Sequence, residues 1–325
     1  MSKRISLSAL ASALAIWVAS PGSARALTIN AIYDPSVTGA QQSVINSAIS
    51  FYQNTFSDPI TVNIAFAAEP TCGLGCSNKW VYSSAYSTYR NALGADATST
   101  DDATAMANTP NTATNPVNGG TSINYSSATG RAVGLNTPGA TMTCLNTSAV
   151  VDGCVRFNPN ITTTNPPQNN LYSLLTVVEH EIDEVLGLGS DVGGTGFFAS
   201  PAAEDLFRYA SPGVRSYAPN ANCPGSTAYF SIDGGATNLV GFNNCNNGGD
   251  YGDWVTSGTH RVQDAFGNPG EAVSLNSSSP EVRALDVIGY TLSSQTTTPE
   301  PSTLLLFGTG LGGLLTLGVR RQRKA

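Results

Sequence analysis

His180-Glu181-Ile182-Asp183-Glu184 is the stretch whose residue types and spacing best suit a metal centre. In a helix, positions i and i+4 lie one turn apart on one face, so the His180 imidazole and the Glu184 carboxylate can converge on a single cation. Glu181 follows His180 directly and can reach a water beside that cation to take its proton. The chain has only two histidines, His180 and His260, and one of them stands in this cluster. An ordinary i, i+4 ion pair would also explain the spacing of His180 and Glu184. Against that reading, Glu179, Glu181, Asp183 and Glu184 crowd an apolar helix in a protein that is only 11% charged, and such a cluster calls for a counter-charge.

The helix is legible from its apolar face. Leu171, Leu174, Leu175, Val178, Ile182, Val185 and Leu186 recur at helical spacing, and Gly187 follows as a terminator. Upstream, Val44, Ile45, Ile49, Phe51 and Tyr52 predict a helix within 37–56, and Ile60, Val62, Ile64 and Phe66 alternate as in a half-buried strand, so the domain is expected to open helix then strand. Residues 80–93 and 103–107 read as short helices, 109–120 as an irregular loop, and 132–157 as short strands around Cys144 and Cys154. Beyond the metal-site helix come a glycine-rich loop, the run Asp205-Leu206-Phe207-Arg208-Tyr209, and a hairpin across 229–242. The expected fold is one α+β domain over residues 27–292, with a mixed sheet, an active-site helix and a C-terminal half rich in strands and loops.

The helix is similar to that of HExxH zinc peptidases, with Glu184 in place of the second histidine. It also resembles the start of the metzincin pattern HExxHxxGxxH, read here as His180, Glu181, Glu184, Gly187 and Ser190. The sequence departs from that pattern at the second and third ligand positions, and no methionine follows Met142, so the methionine turn is missing. More closely, His180-Glu181-x-x-Glu184-Val185-Leu186-Gly187, Asp205 to Tyr209, Tyr229 to Gly235, Gly249 to Trp254 and Leu285 to Tyr290 together resemble a family of exported bacterial metalloproteases. The resemblance implies a zincin-like fold and hydrolysis of peptide bonds.

For the third ligand Asp205 is the expected residue, because an acidic group opening an aromatic segment after a flexible loop can return beneath the helix. Glu204, spaced from Glu184 as in thermolysin-like enzymes, and Asp191, near the metzincin third position, are the alternatives. His260 is a candidate to bind metal or polarise substrate, and Tyr209 or Tyr217 to stabilise an oxyanion. The expected cofactor is Zn2+, and because carboxylate ligation is harder than imidazole ligation, Mn2+ or Fe2+ would also suit. The anionic ligand also lowers the positive charge at the site and weakens its acidifying effect on water. Glu181 is the expected general base. The rival expectation is a non-catalytic surface or matrix protein with a structural ion or a degenerate site. In that reading Asp233, Asp250 and Asp253, in loops rich in Gly and Asn, would suit calcium.

Both ends read as processing signals. Lys3 and Arg4 precede an apolar run, and Ser23-Ala24-Arg25-Ala26 offers a cleavage site, so 1–26 is an expected signal peptide. At the other end a linker over 293–298 leads to an expected sorting tail over 299–325. Pro299-Glu300-Pro301, an apolar run over 304–319 and the cluster Arg320, Arg321, Arg323 and Lys324 resemble, in that order, a PEP-CTERM sorting tail. That resemblance implies an exosortase partner, passage through the inner membrane with 304–319 as a transient span, and a final place at the surface of, or outside, a Gram-negative cell. Six cysteines in an exported chain predict disulfides, with sequence proximity favouring Cys72–Cys76, Cys144–Cys154 and Cys223–Cys245. A formal net charge of -7 argues against a nucleic-acid partner; a peptide or protein substrate is what the metalloprotease resemblance implies.

Overall fold

The computed structural model describes residues 27–168, 170–219 and 228–293, and its first element is a strand rather than the helix expected to lead. This strand, β1 (Thr28–Tyr33), buries Ile29 between two exposed residues and offers too short an alternation to stand out in the sequence. It forms because β2 (Thr61–Ala68) pairs with it in parallel, Thr28 opposite Thr61 and Tyr33 opposite Phe66. Between them lies α1 (Gly39–Thr55), where Thr38 and Gln41 close a capping box and Ile45, Ala48, Ile49 and Tyr52 form one buried face.

Next come β3 (Gly75–Lys79), β4 (Val81–Ala85), α2 (Tyr86–Asp96), α3 (Thr100–Ala107), β5 (Ser122–Ser126), α4 (Ser127–Ala132), β6 (Ala140–Cys144), β7 (Thr147–Val151) and β8 (Gly153–Phe157). The helix expected over 80–93 is in part strand, because β4 pairs antiparallel with β5 before α2 begins. The main sheet has the order β1-β2-β8-β3, with β1, β2 and β8 parallel and β3 antiparallel at the edge. A mixed sheet in an α+β domain is what the sequence predicted. Val62, Ile64, Phe66 and Val155 join the large core beneath the helices. The alternate residues Ala65, Ala67 and Cys154 pack instead with Cys144 and Val151 of the β6–β7 hairpin.

A short parallel pair, β9 (Thr162–Thr163) and β10 (Tyr172–Ser173), introduces α5 (Leu174–Leu186), the helix that carries the HExxE residues. It starts after Leu171, the first apolar residue of its pattern, because Ser173 caps it by accepting from the Thr176 N–H. The helix packs on β3 and β8 and beside α1. The C-terminal half contains an antiparallel sheet of order β12-β11-β13-β14, made of β11 (Arg208–Ser211), β12 (Val214–Arg215), β13 (Tyr229–Phe230) and β14 (Val240–Gly241), the last two being the expected hairpin. Finally α6 (Pro280–Val287) returns the chain to the core, and the Tyr290 hydroxyl donates to the Leu186 carbonyl at 2.7 Å.

Cys72–Cys76 and Cys144–Cys154 are disulfides, with Cα separations of 5.9 and 5.5 Å. Cys245 is disulfide-bonded as well, and its expected partner Cys223 lies outside the described residues. So do the signal peptide, the sorting tail and the apolar run over 304–319. Among the described residues no helix is long and apolar enough to cross a membrane.

Candidate metal centre

The end of α5 is shaped by a glycine. Gly187 has φ of 144° and its N–H bonds to the Asp183 carbonyl, while a Cβ there would stand 2.1 Å from Thr129 Oγ1. One face of the helix carries His180 and Glu184, partly exposed, with Nε2 and Oε1 3.7 Å apart. The third member of the group is Asp253, whose Oδ1 lies 3.7 Å from the same Nε2. One ligand atom from each of the three lies within 4.8 Å of the others, the only such set of acidic, histidine or cysteine groups among the described residues.

Asp253 arrives from the C-terminal half. Its carbonyl accepts from Asn243 N at 2.7 Å, and the next residue, Trp254, bridges to Phe242 on one side and to Asp264 on the other. Trp254 is fully buried against Phe230 and Phe242 and donates its indole N–H to Glu281 Oε1 at 3.1 Å. That same oxygen accepts from Gln263 N at 3.0 Å, so one carboxylate on α6 ties together both segments flanking the site. The loop before Asp253 reaches the end of α5 through two glycines, since a Cβ on Gly252 would stand 2.4 Å from Gly189 Cα.

Each donor is oriented by a second contact. His180 Nδ1 lies 3.0 Å from the Val262 carbonyl, which keeps a proton on that nitrogen and turns Nε2 toward the carboxylates. Ser77 on β3 donates to Glu184 Oε2 at 2.5 Å, leaving Oε1 for the group. Asp253 Oδ1 accepts from Gln263 Nε2 at 3.0 Å. Burial disfavours an imidazolium at His180, but Asp253, Glu184 and Glu181 outweigh it and hold the pKa well above the ordinary value. Burial likewise opposes ionisation of Glu184, yet His180, Lys79 and Ser77 bring it down to about 2. Asp253 is pushed up to about 7, by burial first, with His180 pulling the other way.

Glu181, next to His180 on α5, lies against the edge strand. It packs on Gly75, where a Cβ would come within 2.4 Å of Glu181 Oε1, and its Oε2 is buried without a partner. Burial, then repulsion from Glu184, raises its pKa well above the carboxylate range. All four groups line a cleft of about 510 Å3, walled by β3 and the preceding Gly73 and Leu74 on one side and by Asp250, Arg261 and Phe266 on the other.

His180, Glu181 and Glu184 thus share one cleft, whereas Asp205 stands apart from the group. The Asp205 carboxylate accepts from Ser190 Oγ at 2.5 Å, Ala202 N at 2.8 Å and Asp191 N at 3.1 Å, bracing the loop after α5. Glu204 accepts from Gly189 N at 2.6 Å and Asp191 from Asn124 at 2.9 Å, so all three third-ligand candidates from the sequence hold that loop. His260 sits at the surface near Asp264 and Glu271. Tyr217 bonds to loop carbonyls and Tyr209 lies beneath the Arg215 guanidinium, neither of them lining the cleft. Of the three aspartates considered for calcium, Asp233 caps its own turn through Ser231 and Thr237, Asp250 lies at the cleft mouth and Asp253 belongs to the group. Asp253, Ser77, Gly75 and Gln263 had no helical or strand periodicity to connect them with α5.

The donor set suits a divalent cation: one imidazole nitrogen with its lone pair turned inward and two carboxylates, in a cleft open to solvent. Residues 297–324 match the PEP-CTERM protein-sorting motif. The chain ends in a PEP-CTERM tail. That motif implies recognition by exosortase-type sorting machinery and indicates a secreted protein sorted to the cell surface in Gram-negative bacteria. No curated protein and no solved structure matches the chain.

Proposed function

We propose that the domain is a metal-dependent hydrolase of peptide bonds acting at the cell surface, with His180, Glu184 and Asp253 holding a divalent cation, zinc first and Mn2+ or Fe2+ as alternatives. The observation that carries this reading is the convergence of those three donors at 3.7 Å spacings in a cleft that also contains the buried Glu181. A cation there would supply Lewis acidity to a carbonyl and to water.

The chain's own residues provide the rest. Burial and Glu184 push the Glu181 carboxyl above its usual range, a cation nearby would favour its ionised form, and the carboxylate would then serve as general base for water attacking the scissile carbonyl. Val262 holds the imidazole orientation through Nδ1, and Ser77 holds Glu184. What supports the reading in the domain itself is the HExxE pattern on α5 with the edge strand β3 beside it.

The test is elemental analysis of the purified full chain with hydrolysis of a fluorogenic peptide library. About one zinc per chain with turnover abolished in Glu181→Gln supports the enzyme. Bound metal with no turnover in either protein favours a structural ion in a surface protein, and absence of metal after incubation with zinc sinks both.

A further inference from the structure

Gln263 is fully buried beside the metal group, yet half of its amide has nothing to bond. Its nitrogen points inward, 3.0 Å from Asp253 Oδ1 and 3.3 Å from His180 Nε2, while Oε1 is buried with no partner. An amide N–H directed at Nε2 occupies the lone pair that a cation needs. Neighbouring ligand atoms around one cation at about 2.1 Å lie roughly 3.0–3.4 Å apart, in octahedral or tetrahedral arrangement. The inner amide atom meets that spacing to two donors at once. A half-turn about the last side-chain torsion exchanges oxygen for nitrogen and sets a neutral oxygen donor there.

We infer that Gln263 is a fourth protein ligand of the cation, binding through Oε1. The inference rests on the metal-centre reading above and deepens it. It makes the donor set one nitrogen and three oxygens, harder than a histidine-rich zinc site, and so shifts preference toward Mn2+ and Fe2+ relative to zinc. The backbone supports the role. Gln263 N is fixed by Glu281, and Gln263 O accepts from Trp254 N at 2.8 Å, so the amide is carried on the same braced segment as Asp253.

The experiment is titration of the metal-free full chain with Co2+, Zn2+ and Mn2+, by calorimetry and by Co2+ absorption, for wild type, Gln263→Glu and Gln263→Met. A ligand predicts that Gln263→Glu, which supplies an anionic oxygen, tightens binding about 10-fold or more, while Gln263→Met weakens it and shifts the Co2+ d–d bands. A mere hydrogen-bond donor to Asp253 predicts weaker binding in both variants with unchanged bands, and that result overturns the inference while leaving the metal centre intact. If Gln263→Glu fails to fold, the bands of Gln263→Met decide alone. If wild type and His180→Ala bind equally poorly, the metal centre itself fails, and this inference with it.

Discussion

Asp253 Oδ1 stands 3.7 Å from His180 Nε2, although His180 lies on α5 and Asp253 in a loop well beyond it in the sequence. The contact depends on Trp254, wedged in the core next to Asp253, and on the close approach of Gly252 to Gly189. The candidate ligand group is therefore a product of how the segment carrying Asp253 docks on α5, and it can be tested apart from the motif.

Asp253→Asn should lose most of the affinity for zinc, comparably to His180→Ala and Glu184→Ala, whereas Asp205→Ala should keep it. Asp205→Ala instead leaves the Ala202 and Asp191 N–H groups and the Ser190 hydroxyl without their acceptor, and should destabilise the fold by roughly 1–3 kcal/mol. Metal titration beside thermal denaturation separates the two aspartates. Equal loss of metal in both variants would contradict the assignment.

Gly75→Ala puts a methyl within 2.4 Å of Glu181 Oε1 and 2.7 Å of Val177 Cγ1. Glu181 must move, and displacement of a general base by about 1 Å costs on the order of 100-fold in rate. The expected variant binds metal normally and turns over peptide roughly 10- to 100-fold more slowly. Unchanged kcat would remove Glu181 from the reaction.

Glu281→Ala leaves the Trp254 indole N–H and the Gln263 N–H without their acceptor, at roughly 1–3 kcal/mol each. Because those bonds hold the segments on either side of the metal group, zinc affinity should also fall about 10-fold or more. A variant that loses stability but binds zinc as tightly as wild type, measured well below its melting temperature, would show that Glu281 only supports the core.

The metal-free domain should be more stable at pH 5 than at pH 8.5. Burial raises Glu179 and Glu204 to about 8 and Asp58 and Asp286 to about 7. In the unfolded chain these groups ionise near 4, so between about 4 and 8 the folded state holds more protons. Their contribution is complete below the unfolded pKa and is lost as pH rises through the folded values. Asp34 acts oppositely. Although burial opposes it, hydrogen bonds from Ser36, Asn146 and Thr147 hold it at about 2, so its contribution is lost as pH falls below 4. Thermal melts from pH 3 to 9 should peak near about 4, where the unfolded carboxylates titrate, and a melting temperature rising steadily to pH 8.5 would refute this account.

Local pattern carried α1, β2 and α5, because each repeats its apolar residues with its own period. It carried the HExxE triplet for the same reason, since spacing along one helix fixes which side chains share a face. The disulfides Cys72–Cys76 and Cys144–Cys154 were legible because export and proximity in sequence favour them. β1 was not legible, being a strand only by virtue of β2, and neither was the split of 80–93 into β4 and α2, which depends on β5.

By itself, then, the sequence determined the helix with His180, Glu181 and Glu184, the exported character marked by its PEP-CTERM end, and an α+β architecture. Only the tertiary structure decided which acid completes the group. Asp205, Glu204 and Asp191 lie nearer in sequence, but Ser190, Asp191 N and Ala202 N bond to Asp205, Gly189 N to Glu204 and Asn124 to Asp191. Asp253 is free to face His180 because Trp254 and Glu281 fix the segment that carries it. Contacts of that kind arise from packing between distant elements, and no period within either element encodes them.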